Sequence, residues 1–419
     1  MKVLVYPHTM VLSGVLNAIE LAAAVRDRGH EVIVLSRQGP LVEVVRELGL
    51  EHVLLDPRAR RLPSPRAAAQ LTRLVKDREI DVVNAWEWPS AVEAFAGVRL
   101  GAGIPVVCTV FSMSVAKFMP HTLPLIVGSE EIAEQAVDAG YGSVTLIEPP
   151  VDVLANAPGY YSDSFRSEFG LDAAPLLVVV CRLAHELKLE GLLAACDVVG
   201  NLAQAGVKVN LAVVGDGPAR QEVEAAAAAA NVRAGRRAVI LTGALYDPRS
   251  AYAAADVVLG MGGSALRGMA FAKPLVVQGE RGYWQLATPD SVPTFLRQGW
   301  YGIGSDEDGR VAGAQRLEKI LRELLDDTAI QHRLGQYGRE LVVERFSLDR
   351  AGGVLEEVLT SAIERSNQPS SIRLAADVAH TGIGVLRHQG LRKWRRWRGK
   401  PVARDDSNAV ARTRSRGAQ

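Results

Sequence analysis

Short apolar runs alternate with amphipathic segments through the first 150 residues of the chain. The runs are rich in Val, Ile and Leu, which is typical of strands buried on both faces of a parallel sheet. They predict strands at residues 2–6, 31–36, 52–55, 81–85, 105–110, 125–127 and 144–147. Helices are predicted between them at residues 14–28, 39–48, 63–76 and 129–139. This alternation predicts an α/β domain with a doubly wound parallel sheet.

A second alternation of the same kind begins at residue 175. It predicts strands at 175–180, 210–214, 238–242, 256–259 and 274–278, and helices at 189–204, 219–230, 248–254, 315–325, 328–343 and 348–365. The polar segment 154–172, with turn residues such as Pro158 and Gly159, separates the two alternations. We therefore expect a first domain at 1–153, a linker at 154–172 and a second doubly wound domain at 173–345.

The apolar run 256–259 leads into a glycine turn formed by Gly260, Gly262 and Gly263, and Ser264 then begins a helix. Glycines let the backbone approach a ligand closely, and Ser264 can cap the helix. Free N–H groups and the helix dipole favour an anion at such a turn, so a phosphate is one interpretation. The other interpretation is a turn with only a structural role.

Ligands of doubly wound sheets bind beyond the carboxyl ends of the strands, which singles out the loops 7–14, 86–90 and 111–121 of the first domain. Trp86 and Trp88, with Glu87 between them, could grip a sugar ring, or an indole could pack beneath the loop with Glu87 solvated. His8 and His121 are either acid, base or hydroxyl-binding groups or ordinary surface histidines.

Composition excludes several classes of protein. The chain has 419 residues, enough for two or three domains with their own cores, and its formal net charge is only +1. Its three cysteines are scattered, so we expect neither a disulfide framework nor a metal site. No apolar run is long enough to span a bilayer, and Pro7 interrupts the first one before it could form a signal-peptide core. A cytoplasmic location is therefore expected.

Charge is divided unevenly along the chain. Residues 366–419 hold 12 Lys or Arg and 3 Asp or Glu, whereas residues 1–365 hold 36 and 44. We expect 366–419 to be a flexible tail whose basic segment 387–400, with two tryptophans, suits an anionic membrane surface on the inner face of the membrane. The alternative is a disordered, solubilising tail. Nucleic acid is disfavoured because the acidic body offers no extended basic groove.

Short motifs recur in one order across both domains. They are Ser13-Gly14, Arg28-Gly-His-Glu-Val32, Pro149-Pro-Val-Asp152, Arg182-Leu with Lys188, Val214-Gly-Asp-Gly-Pro218, Thr242-Gly243, Tyr252-Ala-Ala-Ala-Asp256 and Met269-Ala-Phe-Ala-Lys-Pro274. Their order and spacing over residues 1–365 resemble the family 4 glycosyltransferases of the GT-B fold. The resemblance implies two Rossmann-like domains that face each other across a cleft, with 346–365 as a helix that crosses back to the first domain.

The resemblance also implies roles for individual residues. Arg182 and Lys188 match the basic pair that stabilises the diphosphate of a nucleotide sugar, and two cations beside a glycine turn suit that leaving group. Further donor-side positions are Gly215, Asp216 and Gly217, and Asp216 could instead only cap the next helix. The acceptor side would include His8, Ser13, Gly14, His121 and the segment 86–88. No metal or other cofactor is required.

One position departs from the family pattern. Most members have two glutamates eight residues apart, the second of which holds the ribose hydroxyls, whereas this chain has Arg267 at the second place. A cation cannot accept those hydrogen bonds, so Arg267 would pair with a phosphate or the nucleotide would be seated differently. Glu280 could replace the lost acceptor or pair with Arg281.

The expected function is transfer of a sugar, with retention, from a nucleotide-diphosphate sugar to a hydroxyl of a glycan, lipid-linked sugar or small metabolite. A nucleotide-sugar epimerase of the same fold would use the donor without an acceptor. A degenerate binding or scaffold protein is the alternative outside catalysis, and it is motivated by the missing glutamates.

Overall fold

The computed structural model describes residues 1–7, 10, 14–59, 63–160, 163–305, 309–365 and 371–398. These residues form two compact units. Unit 1 comprises Met1–Pro150 together with the described residues from Leu348 on, and unit 2 comprises Val151–Ser347. Both units are layered α/β structures, which confirms the predicted fold class.

Unit 1 is built on a seven-stranded sheet in which all neighbouring strands are parallel. The strands are β1 (Lys2–Pro7), β2 (Glu31–Ser36), β3 (Glu51–Leu54), β4 (Val82–Trp86), β5 (Val106–Val110), β6 (Leu125–Val127) and β7 (Val144–Leu146), in the spatial order β3-β2-β1-β4-β5-β6-β7. Every residue of β4 and β5 is buried. Side chains on both faces of these strands meet a core, which explains their unbroken apolar runs.

Helices cover both faces of this sheet. They are α1 (Val15–Asp27), α2 (Val42–Glu47), α3 (Pro65–Asp77), α4 (Glu87–Ala94), a π-helical segment (Phe95–Leu100), α5 (Glu130–Asp138), α14 (Leu348–Glu364) and α15 (Ser371–Trp397), numbered in chain order. One core is formed with α3, α4 and the π-helical segment, and the other with α1 and α14. Glu356 of α14 lies 2.6 Å from the ring of His30, which stands in the turn between α1 and β2.

Unit 2 is built on a six-stranded sheet in the spatial order β10-β9-β8-β11-β12-β13. The strands are β8 (Leu176–Val180), β9 (Asn210–Val214), β10 (Val239–Gly243), β11 (Val257–Gly260), β12 (Leu275–Gln278) and β13 (Trp284–Leu286). All are parallel except β13, which pairs antiparallel with β12. The sequence pattern did not predict β13, because three residues carry too little periodicity to identify a strand.

Eight helices lie in the described part of unit 2. They are α6 (Asp163–Glu168), α7 (Leu189–Gln204), α8 (Arg220–Ala234), α9 (Arg249–Ala254), α10 (Gly263–Ala270), α11 (Val292–Gln298), α12 (Gly309–Asp326) and α13 (Thr328–Arg345). The core on one face of the sheet includes α7, α8 and α12, and the core on the other includes α9, α10 and α13.

The predicted linker at 154–172 is packed into unit 2, contrary to its turn-rich composition. Phe165 of α6 is fully buried, and Arg166 donates a hydrogen bond to Asp256 at 2.9 Å. One buried aromatic ring and one ion pair thus anchor a segment in which small and polar residues predominate.

The prediction of a flexible tail over 366–419 is wrong for residues 371–397, which form α15 and belong to unit 1. Leu374 and Val385 of this helix pack against the core of unit 1. The lysines and arginines that suggested disorder share the helix with these apolar residues. Among the described residues, no helix has the length and apolar character that crossing a bilayer requires.

Glu93 of α4 is buried in the core of unit 1, where 1 % of it is exposed. Its carboxylate accepts hydrogen bonds from the Tyr6 hydroxyl at 2.5 Å and from the backbone N–H of Ser64 at 2.6 Å. Loss of hydration raises the pKa of Glu93 from its usual 4.5 to about 7, and the two hydrogen bonds only partly oppose this rise. The carboxyl group therefore joins β1, α4 and the start of α3.

We expect Glu93 to contribute a loss of stability as the pH rises from about 4.5 to about 7. In this interval the folded protein holds a proton on Glu93 that the unfolded chain has released, so raising the pH favours unfolding by about 1–3 kcal/mol. Urea unfolding at several pH values measures this slope. Glu93→Gln should flatten it, whereas Glu357→Gln, a change at an exposed position of α14, should leave it unchanged. An equal slope in all three proteins would contradict the assignment.

Candidate functional site

The loops that follow β8, β9, β11 and β12 lie at one edge of the unit 2 sheet, because these strands are parallel neighbours. Ligands of open α/β sheets bind at this carboxyl edge. The predicted donor-side residues all stand at the ends of these strands, in the following loops or in α10. They are Arg182, Lys188, Gly215, Asp216, Gly217, Gly260, Gly262, Gly263, Ser264, Arg267 and Glu280.

Backbone hydrogen bonds join the loops after β8 and β9. The N–H of Leu183 donates to the carbonyl oxygen of Asp216 at 3.0 Å, and the N–H of Ala219 donates to the carbonyl oxygen of Leu183 at 3.0 Å. Gly215 has a φ of +144°, and a Cβ atom there would overlap the carbonyl oxygen of Cys181. Only glycine permits this close approach.

Asp216 does not cap α8, which was one of its two predicted roles. The helix has Ala219 at its N-cap position and no side-chain cap. The carboxylate of Asp216 instead accepts a hydrogen bond from the N–H of Gly217 at 2.7 Å and pairs with Arg220 at 3.2 Å. Both side chains of this ion pair are exposed.

Two carboxylates tie the loop before α7 and the first turn of α7 to the loop after β12. Glu280 accepts hydrogen bonds from the N–H of Leu187 at 3.2 Å and from the Tyr301 hydroxyl at 2.6 Å. Glu190 accepts hydrogen bonds from the N–H groups of Arg281 at 3.0 Å and Gly282 at 2.6 Å. These bonds hold both loops in one arrangement.

The same ties fix the backbone beside Lys188. Leu187 has a φ of +63°, a left-handed conformation that is costly for a non-glycine residue and needs support from its surroundings. The side-chain amide of Gln278, at the buried end of β12, donates to the carbonyl oxygen of Lys188 at 3.1 Å. Lys188 is therefore held on both sides by residues of the β12 end.

Arg182 and Lys188 are cations whose side chains make no hydrogen bond or ion pair with the described residues. Arg182 is exposed, whereas Lys188 is partly buried. Burial lowers the pKa of the Lys188 ammonium group below its usual 10.5, because the charged form loses its hydration. No carboxylate among the described residues pairs with the ammonium group to offset this loss. An anionic ligand would supply the missing partner.

The glycine turn after β11 opens α10 with two backbone amides that suit an anion. Gly262 is the N-cap residue with a φ of +55°, and its own N–H donates to the carbonyl oxygen of Trp300 at 2.9 Å. The amides of Gly263 and Ser264, in the first turn, have no acceptor within the helix. Ser264 is not the cap that the sequence suggested, since its hydroxyl donates to the carbonyl oxygen of Met261 at 2.9 Å.

Arg267 lies one helical turn beyond Gly263, and a Cβ atom on Gly263 would come 3.5 Å from its guanidinium group. Burial raises the pKa of the Tyr252 hydroxyl, and the positive charge of the nearby Arg267 guanidinium only partly opposes this rise. Arg267 therefore adds positive charge to the positive end of the α10 dipole.

Trp86 and Trp88 do not offer their rings to a ligand, contrary to the predicted sugar-binding pair. They are 4 % and 2 % exposed. The indole N–H of Trp86 donates to Asn84 at 2.6 Å, and the Trp88 ring packs edge-on against Phe118. Because α4 begins directly after β4, the predicted loop at 86–90 is the end of a strand and the first turn of a helix.

Glu87 is also part of the scaffold. It has a φ of +64°, and its carboxylate accepts hydrogen bonds from the N–H groups of Phe111 and Ser112, each at 3.1 Å. It thereby fixes the start of the loop after β5.

His121 packs against the ring of Tyr141 at 4.4 Å and that of His380 at 5.2 Å. Burial and the neighbouring His380 lower the pKa of His121 below 6.5, which favours the neutral ring, and a role as base or hydroxyl-binding group stays a prediction. Gly14 is the exposed N-cap residue of α1, with a φ of +53°. His8 and Ser13 lie outside the described residues.

Glu190, Gln278 and Tyr301 support the site and were not among the predicted residues. Gln278 carried a usable signal, because a polar residue that ends a buried apolar strand needs a hydrogen-bond partner. Glu190 and Tyr301 carried none, since they lie far from their partners in the sequence. In the part of the chain that the structure describes, no cluster of three or more His, Cys, Asp or Glu residues is arranged to hold a metal ion.

Two family models match this chain. Residues 17–153 match Glycosyltransferase Family 4, and residues 174–289 match Glycosyl transferases group 1. The chain is 27% identical over 355 residues to a 2-deoxystreptamine glucosyltransferase of Streptomyces kanamyceticus. This match covers 81% of each protein. The matches therefore extend over both units.

Solved structures share the fold. HepE of Anabaena in complex with UDP and glucose has a TM-score of 0.66 at 17% identity, over 86% of this chain and 100% of that one. Sucrose-phosphate synthase of Thermosynechococcus elongatus also has a TM-score of 0.66, at 16% identity, over 87% and 99% of the two chains. At these identities the likeness concerns the fold alone.

We expect Glu190→Gln and Glu280→Gln to loosen the loops 181–188 and 279–283. A neutral amide oxygen is a weaker acceptor than a carboxylate, and each variant should lose about 1–2 kcal/mol of local stability. Amide hydrogen exchange, read by mass spectrometry over these peptides, should rise about tenfold or more. Glu186→Gln, at an exposed position of the same loop, is the matched control. Unchanged exchange in both variants would show that the carboxylates do not hold the loops.

Proposed function

Because the chain belongs to the glycosyltransferases of the GT-B fold, we propose that it transfers a hexose from a nucleotide-diphosphate sugar to an acceptor hydroxyl. The two units carry the family domains over residues 17–153 and 174–289. The observation that supports the donor site most directly is the pair Arg182 and Lys188 at the carboxyl edge of unit 2, whose side chains pair with none of the described residues.

The donor site acts through electrostatics. As the bond between the anomeric carbon and the diphosphate lengthens, negative charge grows on the departing phosphate oxygen. Lys188, Arg182 and the amides that open α10 stabilise this charge more strongly than the charge of the bound donor, which lowers the barrier. Glu190 and Glu280 hold the Lys188 loop in place beforehand, so little reorganisation is needed during the reaction.

The acceptor hydroxyl forms the new bond to the anomeric carbon while the bond to the diphosphate breaks. Its proton passes to the departing phosphate oxygen, so that charge balances at every stage. In a retaining reaction the hydroxyl attacks from the face that the diphosphate leaves. We propose this stereochemical course, and no metal ion takes part in it.

UDP-glucose is the donor that we propose to test first. HepE has been solved with UDP and with UDP-glucose, and the Streptomyces relative is named a glucosyltransferase. Arg267 would then contact a phosphate of the donor from α10, in place of a carboxylate that contacts the ribose.

The proposed acceptor carries several hydroxyl groups. The Streptomyces relative is named for the small amino cyclitol 2-deoxystreptamine. A glycan or a lipid-linked sugar offers the same reacting group, a hydroxyl. The product would enter glycan, glycolipid or exopolysaccharide synthesis. We place the reaction in the cytoplasm, a compartment that suits the free cysteines Cys108, Cys181 and Cys196.

We expect the double variant Arg182→Ala with Lys188→Ala to bind UDP and UDP-glucose about a hundredfold more weakly than the unchanged protein, because two charge-assisted contacts to the diphosphate are lost. Isothermal titration calorimetry with UDP-glucose and other nucleotide sugars measures this change. The matched control is Lys208→Ala with Arg333→Ala, which removes two exposed cations elsewhere in unit 2. If no nucleotide sugar binds the unchanged protein, or if both double variants bind alike, the assignment of the donor site to Arg182 and Lys188 is wrong.

Arg267→Glu tests the phosphate contact separately. We expect this variant to lose about tenfold or more in affinity for UDP, because a carboxylate repels the diphosphate, and to keep its affinity for uridine. Competition of UDP and of uridine against a fluorescent UDP-sugar gives both affinities. Equal losses for the two ligands would place Arg267 near the nucleoside instead.

A further inference from the structure

One face of α15 is fastened to the loop that follows β5 in unit 1. The carboxylate of Asp377 accepts hydrogen bonds from the N–H and the hydroxyl of Thr122, at 2.7 and 2.5 Å. The ring of His380 lies 2.7 Å from the carbonyl oxygen of Lys117. A Cβ atom on Gly384 would overlap the side chain of Phe118, so the helix lies directly on this loop. These contacts fix the rotation of α15 about its own axis.

The opposite face of α15, its outer face, is apolar and exposed. It is lined by residues at helical spacing, and the large ones are Ile372 (80 % exposed), Ile383 (68 %), Leu386 (71 %), Trp394 (44 %) and Trp397 (82 %). Ala375, Ala376 and Ala379 lie between them and are exposed as well. A row of this length in contact with water is unusual for a protein surface and marks an interaction site.

Charge selects the partner of the outer face. Residues 371–397 hold six Lys or Arg and one acidic residue, Asp377, which is buried against Thr122. Arg373, Arg387 and Lys393 are exposed beside the apolar row. The guanidinium group of Arg398 lies 4.7 Å from the centre of the Trp394 ring. Apolar residues and indoles bordered by cations are typical of helices that lie in the interface of an anionic bilayer.

We propose that the outer face of α15 binds the surface of an anionic lipid bilayer, with the helix lying in the plane of the interface. The apolar row enters the boundary between head groups and acyl chains, and the cations contact lipid phosphates. A second copy of the chain is the weaker partner, because two outer faces would bring like charges together. Nucleic acid would leave the apolar row exposed.

Membrane binding by α15 does not depend on the proposed transferase activity, whereas the position of the bilayer relative to the acceptor rests on that activity. The loop contacted by α15 follows β5 at the carboxyl edge of the unit 1 sheet, where acceptors are expected. A bilayer held by α15 would therefore lie beside the acceptor side, which favours an acceptor embedded in or attached to the membrane.

The test uses the full chain and sedimentation with vesicles. We expect binding to vesicles of phosphatidylglycerol and phosphatidylcholine at 0.15 M salt, near-physiological ionic strength, and at least tenfold weaker binding to phosphatidylcholine alone. Leu386→Glu with Trp397→Glu should weaken binding to the anionic vesicles at least tenfold. Val232→Glu with Val311→Glu adds the same charge at exposed valines of unit 2 and should bind like the unchanged protein.

Three results would overturn the proposal. The unchanged protein could fail to bind anionic vesicles. The outer-face variant could bind them as well as the unchanged protein, which would assign binding to another part of the chain. Light scattering could show a dimer that the outer-face variant abolishes, which would assign the face to a second copy. Circular dichroism confirms that each variant is folded, and UDP binding by the same preparations separates this result from that of the proposed function.

Discussion

The donor side of unit 2 depends on hydrogen bonds that two carboxylates make across neighbouring loops. Glu280 supports the strained backbone of Leu187, and Glu190 supports the loop that contains Arg281 and Gly282. Without these bonds, Lys188 would stand on a loop whose left-handed residue has no compensation. Glu190 accepts two N–H bonds, Glu280 accepts one N–H and one O–H bond, and neither carboxylate pairs with Lys188. The ammonium group therefore remains available to an anion.

The same edge shows why loss of a carboxylate on α10 need not destroy an anion site. The α10 turn offers amides and a helix dipole, both of which attract negative charge. Arg267 adds to that attraction and lies on the side of Gly263. A glutamate at this position would compete with a phosphate while it bound a ribose. In the proposed donor site, Arg267 therefore favours contact with the diphosphate over contact with the ribose.

Unit 1 uses buried polar groups to position its loops. Glu87 fixes the start of the loop after β5, Asp377 fixes its end, and Glu93 joins α4 to β1. Trp88 lies beneath this loop, packed against Phe118. The two tryptophans that resembled a sugar-binding pair therefore pack against the loop after β5 and support it. The helix α15 covers the loop and turns its own apolar face outward.

The sequence by itself determined the two doubly wound sheets and the placement of the predicted donor-side residues at the strand ends of unit 2, because strand periodicity, glycine turns and charged strand ends are local patterns. It could not assign Trp86 and Trp88, because an indole at a strand end is exposed or buried according to the elements that pack on it. It also missed Glu190 and Tyr301, whose partners lie about 90 and 20 residues away. For 371–397, composition suggested disorder, whereas contacts with the β5 loop and with the unit 1 core hold the helix and decide which face meets the solvent. Tertiary structure decided these points because burial and hydrogen-bond partners depend on contacts between segments distant in sequence.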